Sequence, residues 1–165
     1  MLNSLTPESP KQTTSLKILM VSTEYPPMYG GVGRYTANLT RELKKLGLQV
    51  QVLSNENGDG DFFGISPNNT KNYSVLLKLV NEAKPDIVHI QFEHGLYGLK
   101  LDRLNPKKTN TNIDLFYDLC KIPIVTTFHT AFDLKQWMNI VTTKNINEKW
   151  KVKIYIQKLL QYWTH

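Results

Sequence analysis

The sequence predicts an α/β fold of the Rossmann-like type, a doubly wound parallel sheet. Three observations carry this prediction: short apolar runs typical of buried parallel strands, amphipathic helical stripes, and regular alternation between the two. The first strand is predicted at 16–21, the first helix at 32–46 and the second strand at 48–53. Gly47 stands where a helix commonly ends in a left-handed residue. Together these elements predict a right-handed βαβ unit.

The remaining chain continues the alternation. Residues 54–72 are rich in Asn, Gly and Asp and predict a long surface loop. Further helices are predicted at 73–84, 113–121 and 147–163, and further strands at 85–92 and 122–128. The single cysteine, Cys120, lies in one of these helices and is predicted to be a small core residue.

The predicted domain organisation is a flexible tail, residues 1–15, followed by one domain, residues 16–165. The tail is polar and contains two prolines. A doubly wound domain continues with a strand after each helix, whereas this sequence ends soon after its last predicted helix. We therefore expect the domain to lack its last strand.

Composition narrows the classes of protein. Hydrophobic residues make up 41% and charged residues 21%, which is typical of a globular chain. No apolar run approaches the roughly 20 residues that span a bilayer, and the first residues do not resemble a signal peptide, so we expect a cytoplasmic protein. The net charge of +6 suits a nucleic acid, a phosphorylated ligand or an anionic membrane. Without a clustered basic and aromatic motif, we expect no nucleic-acid partner.

Peripheral membrane contact is a second possibility for the positive charge. Lysines accompany the apolar stripe of the last predicted helix, at Lys149, Lys151, Lys153 and Lys158. A basic amphipathic helix of this kind binds anionic lipid in some proteins. More often such a helix packs its apolar stripe on its own sheet, and both readings stay open here.

A glycine-rich turn separates the first strand from the first helix. Gly30, Gly31 and Gly33 indicate either positive φ or a backbone held close to another group. The N–H groups at the start of the helix favour phosphate or another anion, and Arg34 adds a charged donor. A tight turn without a ligand is the alternative. The match to a dinucleotide-binding fingerprint is weak. The glycines come late after the strand, and Thr36 stands at the last position of the fingerprint, where glycine or alanine is expected.

Polar residues also occur at the ends of two later strands. His89 and Gln91 alternate with apolar residues inside a strand predicted to be buried, so they need hydrogen-bond partners. Glu93 and His94 follow that strand, and His129 follows the last one. A histidine at this edge of the sheet binds sugar hydroxyls or stabilises charge, unless it is a solvent-facing loop residue. Usable spacing for three metal ligands is missing, so we expect no metal.

Three segments in this order resemble the N-terminal domain of family 4 glycosyltransferases. They are "KILMVSTEYPPMYGGVGRYTANLTREL", "KPDIVHIQFEHGLYG" and "IPIVTTFHT", and the resemblance covers roughly residues 16–164. It implies the N-terminal half of a GT-B fold, in which two Rossmann-like domains face each other across a cleft. Such enzymes transfer a sugar from a nucleotide sugar to an acceptor, usually with retention, and generally need no metal or other cofactor.

The resemblance also implies roles for individual residues. Gly30, Gly31 and Gly33 match the glycine loop that faces the donor diphosphate and the acceptor. His129 matches the histidine that contacts the donor sugar, which would make it the catalytic residue. Glu93 and His94 would line the acceptor side.

The family's second domain, which holds most of the nucleotide sugar, is not found in residues 16–165. The resemblance therefore implies an acceptor-side domain that is inactive alone and has a C-terminal glycosyltransferase domain as its partner. The alternative is a non-catalytic Rossmann-like module that binds a phosphorylated sugar or a nucleotide.

Overall fold

The computed structural model describes residues 15–98 and 111–130, which form a five-stranded parallel sheet with helices on both faces. The strands are β1 Lys17–Val21, β2 Gln49–Ser54, β3 Phe62–Phe63, β4 Ile87–Phe92 and β5 Ile124–Phe128. The helices are α1 Gly31–Lys45, α2 Asn72–Ala83 and α3 Asp114–Leu119, with a short 3-10 helix at His94–Tyr97.

The strand order is β3-β2-β1-β4-β5, and every neighbouring pair is parallel. The chain first builds outward from β1 through β2 to β3, and then returns to place β4 on the other side of β1. The predicted Rossmann-like α/β fold is thus confirmed. In sheets of this kind ligands bind beyond the carboxyl ends of the strands, where the direction of building reverses. The end of β1 and the end of β4 lie at that point.

Helices cover the two faces of the sheet unequally. On one face, α2 and α3 pack on a large apolar cluster that includes Leu76, Ile90 and Phe116. On the other face, α1 packs Leu39 and Leu43 against a small cluster. The buried members of that small cluster all belong to β1 and β2: Ile18, Met20, Val50 and Val52. We call these the α2/α3 face and the α1 face.

The region predicted as a surface loop contains an element that the sequence pattern missed. Residues 62–63 form β3, which pairs with the end of β2, and Ile65 is buried in the larger cluster. The other strands and the three α-helices of the described residues match their predictions within a few residues. Gly47 has φ 83°, the left-handed value expected just after a helix.

Two sequence predictions fall outside the described residues. They are the tail, except for its last residue, and the helix predicted at 147–163 with its four lysines.

Cys120 lies among the described residues and follows the last residue of α3 as its C-terminal cap. It is partly buried against the larger cluster rather than fully inside it, and its thiol lies 3.6 Å from the carbonyl oxygen of Ile122.

Candidate active site at the carboxyl ends of the strands

The group that the glycine turn approaches closely is the side chain of Glu24. The N–H of Gly33 donates a hydrogen bond of 2.8 Å to Glu24 Oε1. A Cβ atom at Gly30 would overlap the Glu24 carboxylate, and one at Gly33 would lie 3.2 Å from the Glu24 backbone. None of the three glycines has a φ in the left-handed region, since Gly30 is extended at φ 171°, and a Cβ at Gly31 would meet no atom within 4 Å. Close approach, rather than backbone conformation, therefore explains two of the three glycines.

Glu24 caps the start of α1 from outside the helix. Gly30 precedes the helix, so Gly33 carries the third of its unpaired N–H groups. A carboxylate there is stabilised by the hydrogen bond and by the positive end of the helix dipole. The Glu24 carboxylate thus occupies the position at which the sequence predicts a bound anion. Arg34, in the same first turn, is exposed.

Two side chains of β4 form hydrogen bonds on the α1 face with Thr127 of β5 and with His129 just after β5, and we call these two hydrogen bonds the polar ladder. His89 Nε2 lies 2.8 Å from Thr127 Oγ1, and His129 Nε2 lies 2.9 Å from Gln91 Oε1. In the strand register His89 stands opposite Val125, and Gln91 stands opposite Thr127. Each β4 side chain therefore reaches the residue two positions beyond its register partner. The partners that buried polar groups in this strand need are present.

Both histidines of this ladder favour the neutral form. Burial lowers the pKa of His89, and the nearby His129 lowers it further. Burial also lowers the pKa of His129, while Glu24 and Glu93 oppose this by raising it. Since an unperturbed histidine already has a pKa near 6.5, a lowered pKa makes the neutral imidazole the main form of both rings at pH 7. A neutral imidazole donates one hydrogen bond and accepts another.

The glycine turn and His129 meet at one place. Tyr35 lies at the start of α1, and its ring stands edge-on to the His129 ring, with centroids 5.0 Å apart and planes at 78°. The backbone N–H of His129 donates to the carbonyl of Phe92, which ties the end of β5 to the end of β4. The turn, the two strand ends and the two carboxylates that act on His129 therefore form a single site.

Glu93 stands at the edge of this site. It precedes the 3-10 helix, and its Oε2 accepts a hydrogen bond of 3.0 Å from the N–H of Gly95. Its side chain is half-buried. The side chain of His94, the other predicted acceptor-side residue, lies outside the described residues.

The segment after Glu93 anchors the site from below. Tyr97 is fully buried, and its hydroxyl shares its one proton between the carbonyl oxygens of Gln91 and Val21, at 3.1 and 3.3 Å. Gly98 has φ 66°, and a Cβ there would collide with the carbonyl of Pro67. Tyr97 therefore has a structural role, since its hydroxyl bridges the ends of β1 and β4, whereas the left-handed turn at Gly98 lies against Pro67.

A comparison with protein-family models decides the family. The model described as Glycosyltransferase Family 4 matches residues 29–165. The chain belongs to glycosyltransferase family 4. The matched segment includes the glycine turn, both strands of the polar ladder and His129, so the family 4 match covers most of the site. A comparison with curated protein sequences gave no significant match.

Glu24 lies before the first residue of the family 4 match. The sequence analysis missed it, although it is the one charged residue between β1 and the glycine turn. Tyr35 was also missed as a site residue, because the helical stripe of α1 accounts for an aromatic residue at that position. Gln91 was recognised as needing a partner, but its partner was not predicted.

Within residues 15–98 and 111–130 there is no cluster of three metal-ligating side chains. No helix in these segments has the length and apolar character required to cross a membrane.

Proposed function

We propose that this chain forms the acceptor-side half of an enzyme that transfers a sugar from a nucleotide-sugar donor. The observation that carries the proposal is the contact between Tyr35 and His129, because it joins the glycine turn and the histidine in one site. Family 4 membership supports sugar transfer in general. The donor is a substrate, and the proposal includes no cofactor.

The start of α1 would stabilise the departing nucleoside diphosphate. When the bond between the sugar and the phosphate breaks, negative charge develops on the phosphate oxygens. The N–H groups of Gly31 and Gly33, together with the Arg34 guanidinium, would offset that charge. Gly33 already donates to Glu24, so the Glu24 carboxylate would move aside when phosphate binds there.

Neutral His129 would bind the sugar, and Glu93 with His94 would face the acceptor. A neutral imidazole accepts a hydrogen bond from a sugar hydroxyl without adding charge beside the phosphate. The Glu93 carboxylate would accept a hydrogen bond from the acceptor hydroxyl that attacks the sugar. We propose that transfer retains the configuration at the sugar, and that a second, C-terminal domain of the GT-B type holds most of the nucleotide.

Binding to the 165-residue chain tests the proposal directly. In an NMR titration of the 15N-labelled protein, UDP-glucose or GDP-mannose should shift the amide signals of Gly31, Gly33 and His129. Inorganic phosphate should shift the two glycines alone. Shifts confined to other regions, with both nucleotide sugars and with phosphate, would contradict the proposed site.

Gly31→Val gives a sharper test, because a side chain at Gly31 meets open space in the protein and would meet the ligand instead. We expect nucleotide-sugar affinity to fall about tenfold or more while the fold is kept. Lys78→Ala, on the exposed side of α2, is the matched control and should leave the affinity unchanged. Equal affinity of the Gly31→Val and native proteins would exclude the glycine turn from the donor site.

A transfer assay with a donor-binding domain separates the two functional classes. Release of nucleoside diphosphate that depends on an acceptor would support a transferase. Tight binding without any release, under the same conditions, would favour the non-catalytic module. The configuration of the product sugar, read by NMR, tests retention.

A further inference from the structure

Gln91 lies at the centre of the site, and both ends of its amide are occupied. The side chain is fully buried on the α1 face of β4. Its Oε1 lies 2.9 Å from His129 Nε2, and its Nε2 lies 3.2 Å from the sulfur of Met20. Met20 is also fully buried, in the middle of the sheet. A thioether, an amide and an imidazole therefore form one line from the core to the site.

The sulfur of Met20 determines which way the amide points. A thioether sulfur accepts hydrogen bonds and has no proton to donate. The NH₂ group of Gln91 satisfies it, whereas the carbonyl oxygen in that position would place two lone-pair atoms together. Because the amide is oriented in this way, its oxygen faces His129. An acceptor facing Nε2 requires that Nε2 carries the proton.

We infer that Gln91 is a positioning residue that holds His129 as the Nε2–H tautomer, so that Nδ1 presents a lone pair to a ligand hydroxyl. Within residues 15–98 and 111–130, His129 makes its ring hydrogen bond through Nε2 and none through Nδ1. The ligand group that fits Nδ1 is a hydrogen-bond donor, such as a sugar hydroxyl, and not a phosphate oxygen. This role rests on the proposed sugar transfer, whereas the tautomer is a property of the protein alone.

The tautomer is measured by NMR of the histidine rings in the 165-residue chain, at a pH at which the rings are neutral. We expect the 15N shifts of His129 to report protonated Nε2 and unprotonated Nδ1. We also expect its Nε2 proton to exchange slowly with water, because Gln91 is buried. A His129 ring protonated mainly on Nδ1 would overturn the inference.

Two substitutions at Gln91 separate its acceptor role from simple packing. Gln91→Leu removes the acceptor, so exchange of the His129 Nε2 proton should accelerate tenfold or more. Gln91→Glu keeps an acceptor and adds negative charge, so it should keep the proton on Nε2 and raise the pKa of His129. Slow exchange that survives in Gln91→Leu would overturn the inference.

Met20→Leu tests the orientation of the amide without changing the amide itself. The volume is nearly kept and the sulfur acceptor is lost, so the amide is free to turn over. A signal from the Nδ1-protonated ring of His129 should then appear. If Gln91→Leu fails to fold, the other two variants still test the inference. An unchanged His129 tautomer in Met20→Leu, or an unchanged His129 pKa in Gln91→Glu, would overturn it.

Thr127→Val is the matched control, because Thr127 bonds to His89 in the same ladder. It should change the ring signals of His89 and leave those of His129 unchanged.

In the transfer assay, Gln91→Leu should lower kcat about tenfold, while the KM for the donor should stay within about twofold of the native value. The native protein could show the expected His129 ring signals and yet bind neither UDP-glucose nor GDP-mannose. That result would support the tautomer and contradict the proposed function. An unchanged kcat in Gln91→Leu would overturn the positioning role.

Discussion

The two faces of the sheet differ in what they bury. The α2/α3 face packs a continuous apolar cluster, with Leu76, Ile90 and Phe116 fully buried. The α1 face has a small apolar cluster on β1 and β2, and carries polar side chains on β4 and β5. On that face Val125 remains 46% exposed.

Strand β4 contributes to both faces, with apolar side chains on one and polar side chains on the other. Val88 and Ile90 point into the larger apolar cluster, whereas His89 and Gln91 form the polar ladder on the opposite side. Successive side chains of a strand point to opposite faces, so β4 packs the apolar cluster with one set of side chains and lines the candidate site with the other. We expect substitutions on the α2/α3 face to change stability, and substitutions near the ladder to change binding or turnover.

The largest expected effect is on the apolar face. Phe116→Ala should lower the free energy of unfolding by about 3–5 kcal/mol, because it removes a fully buried ring from α3. Val125→Ala, at an exposed position on the other face, should cost less than about 1 kcal/mol. Urea unfolding of both variants checks the contrast. Similar costs at the two positions would show that the faces share the apolar stabilisation equally.

His129→Ala should have the opposite profile. His129 is only partly buried, so water can replace its ring at Gln91, and the unfolding midpoint should change little. Turnover in a complete enzyme should fall about tenfold or more, as is typical when one catalytic hydrogen bond is lost. Steady-state kinetics and urea unfolding of the same preparation measure both quantities. Equal rates for the variant and the native protein would make His129 a loop residue without a catalytic role.

Within the glycine turn, neighbouring glycines should respond differently. Gly30→Ala displaces the Glu24 carboxylate, so we expect a loss of about 1 kcal/mol, the usual value of an N-terminal cap. Gly31→Ala meets no neighbour and stands at the first position of α1, so it should change the stability by less than about 0.5 kcal/mol. Thermal unfolding measures the difference. A larger loss at Gly31 than at Gly30 would contradict the close approach of Glu24.

The smallest expected effect is a dependence on pH. Burial lowers the pKa of His89, so the folded protein binds fewer protons than the unfolded chain. The contribution of His89 to the free energy of unfolding is therefore fully present above the usual histidine pKa of about 6.5. It is lost as the pH falls through the lowered pKa. His89→Gln should therefore reduce the change in urea midpoint between about pH 7 and pH 5. If the urea midpoints of the two proteins change equally with pH, His89 contributes nothing to the pH dependence of stability.

The sequence predicted the fold well because its strands and helices repeat in regular patterns. Short runs rich in apolar residues located β1, β4 and β5, and the stripe on α1 located that helix. Strand β3 was missed because it has two residues and lies among glycines and aspartates, where no period is visible. It forms by pairing with the end of β2, a contact that local pattern does not encode.

The site was only partly predictable for a related reason. The polar residues in β4 signalled that partners must exist, since they interrupt a buried strand. Which residues those are depends on the register between β4 and β5, which only the fold determines. Glu24 reaches Gly33 because the loop after β1 folds back over the start of α1, and no spacing rule anticipates that contact.

The buried phenol of Tyr97 gives the protein a weakness in alkali. Burial raises the pKa of the Tyr97 hydroxyl far above its usual range, since a phenolate inside the core would lack solvent. The unfolded chain can ionise this group near pH 10, whereas the folded chain cannot. The contribution of the Tyr97 hydroxyl to the free energy of unfolding is therefore fully present below that pH, and it declines as the pH rises above it. Because the same hydroxyl bridges β1 and β4, ionising it in strong base would remove the hydrogen bond that joins these two strand ends.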